Sequence, residues 1–201
     1  MNMFRSTLNN ASKGRRNTSN AETMAVFGMI SVFILFAPML LLLGNSVSLT
    51  GGTLYLPATF HLSTLVILAS SWALSKAKFF KSHDKIKKFK RYLAITVVLA
   101  VIFLALQFGG WIQLVQQYRM QQRSLNFIIV LAILHGLHVL FGLVVLLVIA
   151  IRTYPLKTGA ELYIHFLKPA REAGFRILLN YWHFVDLLWV LMYIIFVLKL
   201  A

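Results

Sequence analysis

Along the chain, long apolar runs alternate with short stretches that hold nearly all of the charge. Each run reaches the roughly 20 residues that a helix rising about 1.5 Å per residue needs to cross about 30 Å of hydrocarbon. The pattern predicts five transmembrane helices, over residues 23–43, 57–74, 92–115, 125–151 and 177–198, behind a basic, mobile tail at residues 1–22. The fold class is therefore all-α, a polytopic membrane protein. Composition agrees, since 59% of the 201 residues are hydrophobic and 12% are charged, against about 25% charged in a soluble domain.

A net charge of +15 raises the question of nucleic acid, and the distribution of the charge answers it. The tail, the connection after the second run and the connection after the fourth together carry seventeen Lys and Arg, whereas the remaining connections and the C-terminus carry three, Arg119, Arg123 and Lys199. This asymmetry follows the preference of basic residues for the cytoplasmic side. It places the N-terminus inside and the C-terminus outside, and nucleic acid is not needed as a partner. The first run is too long for a signal-peptide core and is read as retained. With no cysteine in the chain, disulfides, iron–sulfur ligation and thiolate metal sites are excluded.

The candidate chemistry lies in the polar residues inside the runs. In "ILHGLHVLFGLVVLL", His135, His138 and Gly142 fall within about 60° on a helical wheel, a narrow stripe suited to close packing against one neighbouring helix. Haem or metal ligation is the sharper alternative for the histidines. Two histidines three residues apart cannot reach opposite faces of one haem, so a bis-histidine haem would also need His183. A di-iron site wants glutamates that the spans lack. In "NYWHFVDLLWVLMYIIFVL", Asp186 carries an insertion cost of about 2.5 to 3.5 kcal/mol at mid-membrane, so it needs a partner. Its depth matches that of His138, which is the partner expected here. His183, one turn before Asp186, either contacts that aspartate or faces a lipid headgroup. Trp182 and Trp189 are expected as interfacial or lipid contacts, and Gln107 with Gly109 and Gly110 as a close helix contact. A transporter with polar groups lining a path is a further class.

"HGLHVLFGLVVLL", followed some forty residues later by "YWHFVDLLWVLMYI", closely resembles the last two helices of subunit III of haem–copper oxidases, the cytochrome c and quinol oxidase complexes. "TFHLSTLVILASSWALSKA" and "LALQFGGWIQL" are similar to helices that precede them in that family. The resemblance covers nearly the whole chain after the tail, in a five-helix form. It implies a noncatalytic subunit with no cofactor of its own, no catalytic residues and no metal ligands. Its partners would be catalytic subunit I, which carries haem and copper, together with subunit II and membrane phospholipids held in a cleft between helices. The implied setting is the bacterial inner (plasma) membrane, and the implied role is to stabilise the catalytic subunit and support its proton uptake. Two positions depart from the family. Ser31 stands where the family usually has a glutamate, so proton uptake here would not depend on that acid. Arg176 stands where the family has an acid before the last helix, which favours lipid phosphate.

Overall fold

The computed structural model describes residues 2–46, 57–117 and 122–200. Among these residues the chain is helical throughout, without a strand, in the order α1 (Asn2–Ser46), α2 (Ala58–Ser82), α3 (Ile86–Gln117), α4 (Gln122–Thr153), α5 (Gly159–Leu167) and α6 (Pro169–Leu200). Five of the helices are long and apolar enough to cross a membrane; α5 is not one of them. Most of the connection between α1 and α2, and Arg119 in that between α3 and α4, lie outside the described residues.

The helices outrun the expected spans, chiefly at the end where the basic residues gather. Helix α2 continues from residue 74 to Ser82, α3 starts at Ile86 rather than residue 92, and α6 starts at Pro169 rather than residue 177. An apolar run marks the part of a helix that hydrocarbon requires. Its hydrogen-bonded ladder goes on into water until a breaker ends it. At the α2–α3 corner the breaker is a tight turn in which Asp84 adopts a φ of 53°. Pro169 opens α6 at the one helical position where its missing N–H costs nothing. Residues 2–22, expected as a tail, are helical and continuous with the first span.

Helix α5 is absent from the sequence reading. It starts with Thr158, whose hydroxyl accepts from the Glu161 N–H at 3.2 Å, while the Glu161 carboxylate accepts from the Lys157 N–H at 2.7 Å. This reciprocal arrangement stems from the spacing Thr-x-x-Glu. Gly159 follows because the Asp84 carbonyl occupies the place of a Cβ, so the α2–α3 corner seats directly on the start of α5.

The core is aromatic and lies among α2, α3, α4 and α6. Phe60, Phe103 and Trp189 are fully buried, and the Trp189 ring stacks on Phe60 and meets Phe103 edge-on. Helix α1 contributes little to this core. Only 11% of its span is buried, against 33–39% for the other four, and its main neighbours are α6 and α4.

Candidate functional site

The polar residues of the last helix face α2, and this decides how the site is built. On α2, His61, Thr64, Ser71 and Ser75 recur at helical spacing along one side. On α6, His183, Asp186, Trp189 and Tyr193 do the same. From the start of α2 onward, Tyr193 Oη meets His61 Nδ1 at 2.5 Å, and Trp189 Nε1 donates to Thr64 Oγ1 at 3.0 Å. Below them, Ser71 Oγ lies 2.5 Å from His183 Nδ1. Ser75 Oγ sits 3.3 Å from His183 Nε2. At the end of α2, Lys81 donates to Glu172 at 2.5 Å, its ammonium lying 4.6 and 4.8 Å from the ring centres of Phe166 and Phe175.

Ser71 and Ser75 hold the His183 ring between them, one hydroxyl at each nitrogen. Asp186, three residues further along α6, is 5% exposed, and its Oδ2 is buried without a hydrogen-bond partner.

The expected pairing of Asp186 with His138 does not occur. His138 Nδ1 faces the Leu134 carbonyl of its own helix at 2.6 Å, and its ring meets Phe36 of α1 edge-on at 5.8 Å. Equal depth was a sound guide to height in the membrane, but it carries no information on which way each helix is rotated. Nor do His135 and His138 address one neighbour. His135 is buried between Phe103 of α3 and Trp189 of α6, with no hydrogen-bond partner for either ring nitrogen. His138 lines an apolar cavity of about 590 Å³ bounded by α1, α4 and α6. Gly142 lies where α4 meets α6, because a Cβ there would come within 3.1 Å of Tyr181 and 3.3 Å of Trp182. The Tyr181 hydroxyl donates to the His138 carbonyl at 3.0 Å in the same contact.

Trp182 and Trp189, expected at the lipid boundary, are 2% and 0% exposed and belong to the core. Their indole area makes them the largest units available to fill it. Arg176 is half exposed and forms an ion pair with Glu22 of α1 at 2.7 Å. Ser31 faces outward from α1, its hydroxyl donating to the Phe27 carbonyl at 2.9 Å. On α3, Gln107 donates to Ser63 at 2.7 Å, and Gly110 faces Phe60 and Thr59 at 2.9 Å from its Cβ position. Among the described residues, no three His, Asp or Glu side chains gather where they could hold one metal ion. Sequence reasoning passed over Ser71, Ser75, Thr64 and Tyr193. The signal was present, since serine and threonine recur along one stripe of the second run.

Between α5 and the start of α6, Arg171 donates to His165 Nδ1 at 2.9 Å. Burial, then the charge of Arg171, lowers the His165 pKa from its ordinary 6.5.

The family described as cytochrome c oxidase subunit III matches residues 20–199. The chain is 30% identical over 133 residues to cytochrome c oxidase subunit 3 of Papio hamadryas, 66% of this chain and 47% of that protein. It is 24% identical over 200 residues to cytochrome bo(3) ubiquinol oxidase subunit 3 of Buchnera aphidicola subsp. Acyrthosiphon pisum, 94% of this chain and 93% of that one. To cytochrome c oxidase subunit 3 of Bacillus sp. (strain PS3) it is 29% identical over 141 residues, 69% and 63% of the two chains. The chain thus spans about half the length of the Papio relative and nearly the whole of the Buchnera one. With a match across 180 of its 201 residues and a five-helix membrane bundle to carry it, the chain belongs to the cytochrome c oxidase subunit III family.

Proposed function

We propose that this chain is the noncatalytic subunit III of a respiratory haem–copper oxidase in a bacterial inner membrane. It binds and stabilises catalytic subunit I, together with subunit II, and supports proton uptake during aerobic electron transport. Haem and copper reside in those partners. The observation that carries the reading is the family match over residues 20–199. The seam between α2 and α6 supports it, because His183 is engaged by Ser71 and Ser75 as a structural group.

Phospholipid is a second partner. The cavity beside His138 is apolar, and Ala25, Met29 and Ile177 line both it and an adjoining cavity of about 370 Å³ that contains Arg176, Asn180 and Glu22. Acyl chain below and charged headgroup above is the layout of a bound phospholipid, with Arg176 as the phosphate contact.

Mass spectrometry of the complex released from native membranes by mild detergent tests the reading. Co-purification with a haem–copper catalytic subunit is expected, and recovery of the chain without any oxidase subunit would overturn it. Single changes of His135, His138 and His183 to leucine are expected to leave the haem-to-protein ratio of the assembled complex unchanged. Loss of one haem while the subunit stays bound would instead make this chain a cytochrome.

A further inference from the structure

A buried polar atom without a partner is unfavourable, and inside a membrane bundle no bulk water is at hand to serve it. Two such side chains stand in the wall of one cavity, a space of about 750 Å³ between α3 and α4. They are Gln107 and His135, 7% and 2% exposed. Ser63 fixes which end of the Gln107 amide is left over. Its hydroxyl gives its one proton to the Phe60 carbonyl at 2.9 Å, so the serine oxygen can only accept, and Gln107 Nε2 donates to it at 2.7 Å. The unserved atom of Gln107 is therefore Oε1, an acceptor without a donor. On His135 both ring nitrogens lack a partner, and a neutral imidazole offers one N–H and one bare nitrogen. Phe103 meets the His135 ring edge-on and precedes Gln107 by four residues. The two polar groups thus differ in height by about one helical turn across the α3–α4 contact.

The rest of the cavity limits what can fill it. Among the described residues, no Lys, Arg, Asp or Glu lines it, so a phosphate or an ammonium would find no counter-ion. Most of its wall is apolar, and Phe108, Ile133 and Leu137 in that wall are exposed on the outside of the bundle. Its mouth therefore opens towards hydrocarbon. Gly136 leaves room on the α4 side, since a Cβ there would meet nothing within 4 Å.

We infer that the α3–α4 cavity binds a neutral, membrane-dissolved molecule with an apolar body and a hydroxyl head. The hydroxyl donates to Gln107 Oε1 and accepts the His135 N–H, two bonds that one O–H group makes at once. The volume of about 750 Å³ falls among those of small-molecule sites. The site differs in chemistry from the cavity beside His138, whose neighbour supplies Arg176 for a phosphate. It belongs to this chain alone and does not depend on the proposed membership of an oxidase complex. Two kinds of molecule carry this head, a phenol such as a hydroquinone and an aliphatic alcohol such as a diacylglycerol.

The chain, purified in mild detergent with whatever subunits accompany it, is titrated with decylhydroquinone under nitrogen or with dioleoylglycerol, and adducts are read by native mass spectrometry. Binding of at least one of the two is expected. Decylhydroquinone alone identifies the head as a phenol, dioleoylglycerol alone as an aliphatic alcohol, and both together as any hydroxyl. The dimethyl ether of decylhydroquinone and trioleoylglycerol keep the apolar body and lose the hydroxyl. They are expected to bind at least ten-fold more weakly, because the buried polar groups are then left unpaired. Gly136→Leu fills the cavity and is expected to abolish the adduct, while Gln107→Leu and His135→Phe weaken it about ten-fold. Failure of both hydroxyl compounds to bind overturns the site, as does equal binding of the capped analogues, a result that needs no variant to fold. An adduct unchanged in Gly136→Leu places the molecule elsewhere and overturns it too.

Discussion

Ser71 shows how one small side chain settles the position of a costly one. It lies 2.5 Å from His183 Nδ1, so the two are coupled, and changes to them should not add. In a double-mutant cycle, Ser71→Ala and His183→Leu are expected to show a coupling of about 0.5–2 kcal/mol, the range for hydrogen bonds between membrane helices. Asp186→Leu paired with His138→Leu is expected to be additive, because His138 faces the Leu134 carbonyl of its own helix. Unfolding in SDS titrations distinguishes the two cases, and additive Ser71 and His183 effects would refute the Ser71–His183 bond. Gly142→Ala pushes a methyl to 3.1 Å from Tyr181 and is expected to destabilise by about 1–3 kcal/mol through overpacking, read in the same titration. Outside the membrane, His165 accepts from Arg171 only while its ring is neutral. Its folded pKa lies below 6.5, so the folded state binds less proton than the unfolded state. Its contribution is therefore complete above pH 6.5 and declines as pH falls towards the depressed folded value. His165→Gln is expected to flatten that part of the stability–pH curve.

At the scale of elements, the helices are secured unequally. Helix α6 contacts α1, α2, α4 and α5, whereas α1 rests against α6 and α4 by one side and is tied to α6 by the exposed Glu22–Arg176 pair. An exposed pair of this kind contributes about 0.2–1 kcal/mol, so Glu22→Gln is expected to change stability by no more than that. The Lys81–Glu172 pair differs because Lys81 is 12% exposed and held between two phenylalanines. Removing one member leaves the other charge without its partner, whereas removing both leaves an apolar contact. Lys81→Met or Glu172→Leu alone is thus expected to destabilise more than the double change, measured by the same unfolding assay. Lys90 acts between elements in another way, donating to the carbonyls of Tyr154 and Leu156 at 2.5 Å. It joins the end of α4 to α3.

For the whole molecule, the division of basic residues, seventeen against three, predicts a cytoplasmic N-terminus and an external C-terminus. Alkaline phosphatase fused after Ala201 should be active and the same reporter fused after residue 82 inactive; the reverse pattern would invert the topology. In that orientation α5, Lys81–Glu172 and the Asp84 corner lie together at the cytoplasmic surface, while His61 and Tyr193 lie near the outer one. Ser31 faces away from the bundle on α1, so Ser31→Glu would present its acid outward. It is expected to leave proton-pumping stoichiometry in reconstituted vesicles unchanged, since the described contacts of α1 offer that side chain no route inward.

Sequence by itself determined that this chain is a bundle of five membrane helices, because the requirement of hydrocarbon for about 20 apolar residues is local and can be read one run at a time. It also determined the family, since "HGLH" and "YWHFVD" are contiguous strings. Even α5 was legible in principle, from Thr158 and Glu161 three residues apart. What it left undecided was rotation about each helix axis. Depth along the membrane follows from counting residues, and on that count His138 and Asp186 are level. Rotation follows from packing, and packing depends on the shapes of all the neighbours at once. The large rings of Trp182 and Trp189 needed the interior, and turning them inward carried His183 against Ser71 and Ser75 of α2. Only the tertiary structure could make that choice, because side chains of similar depth on different helices differ in nothing that a one-dimensional pattern records.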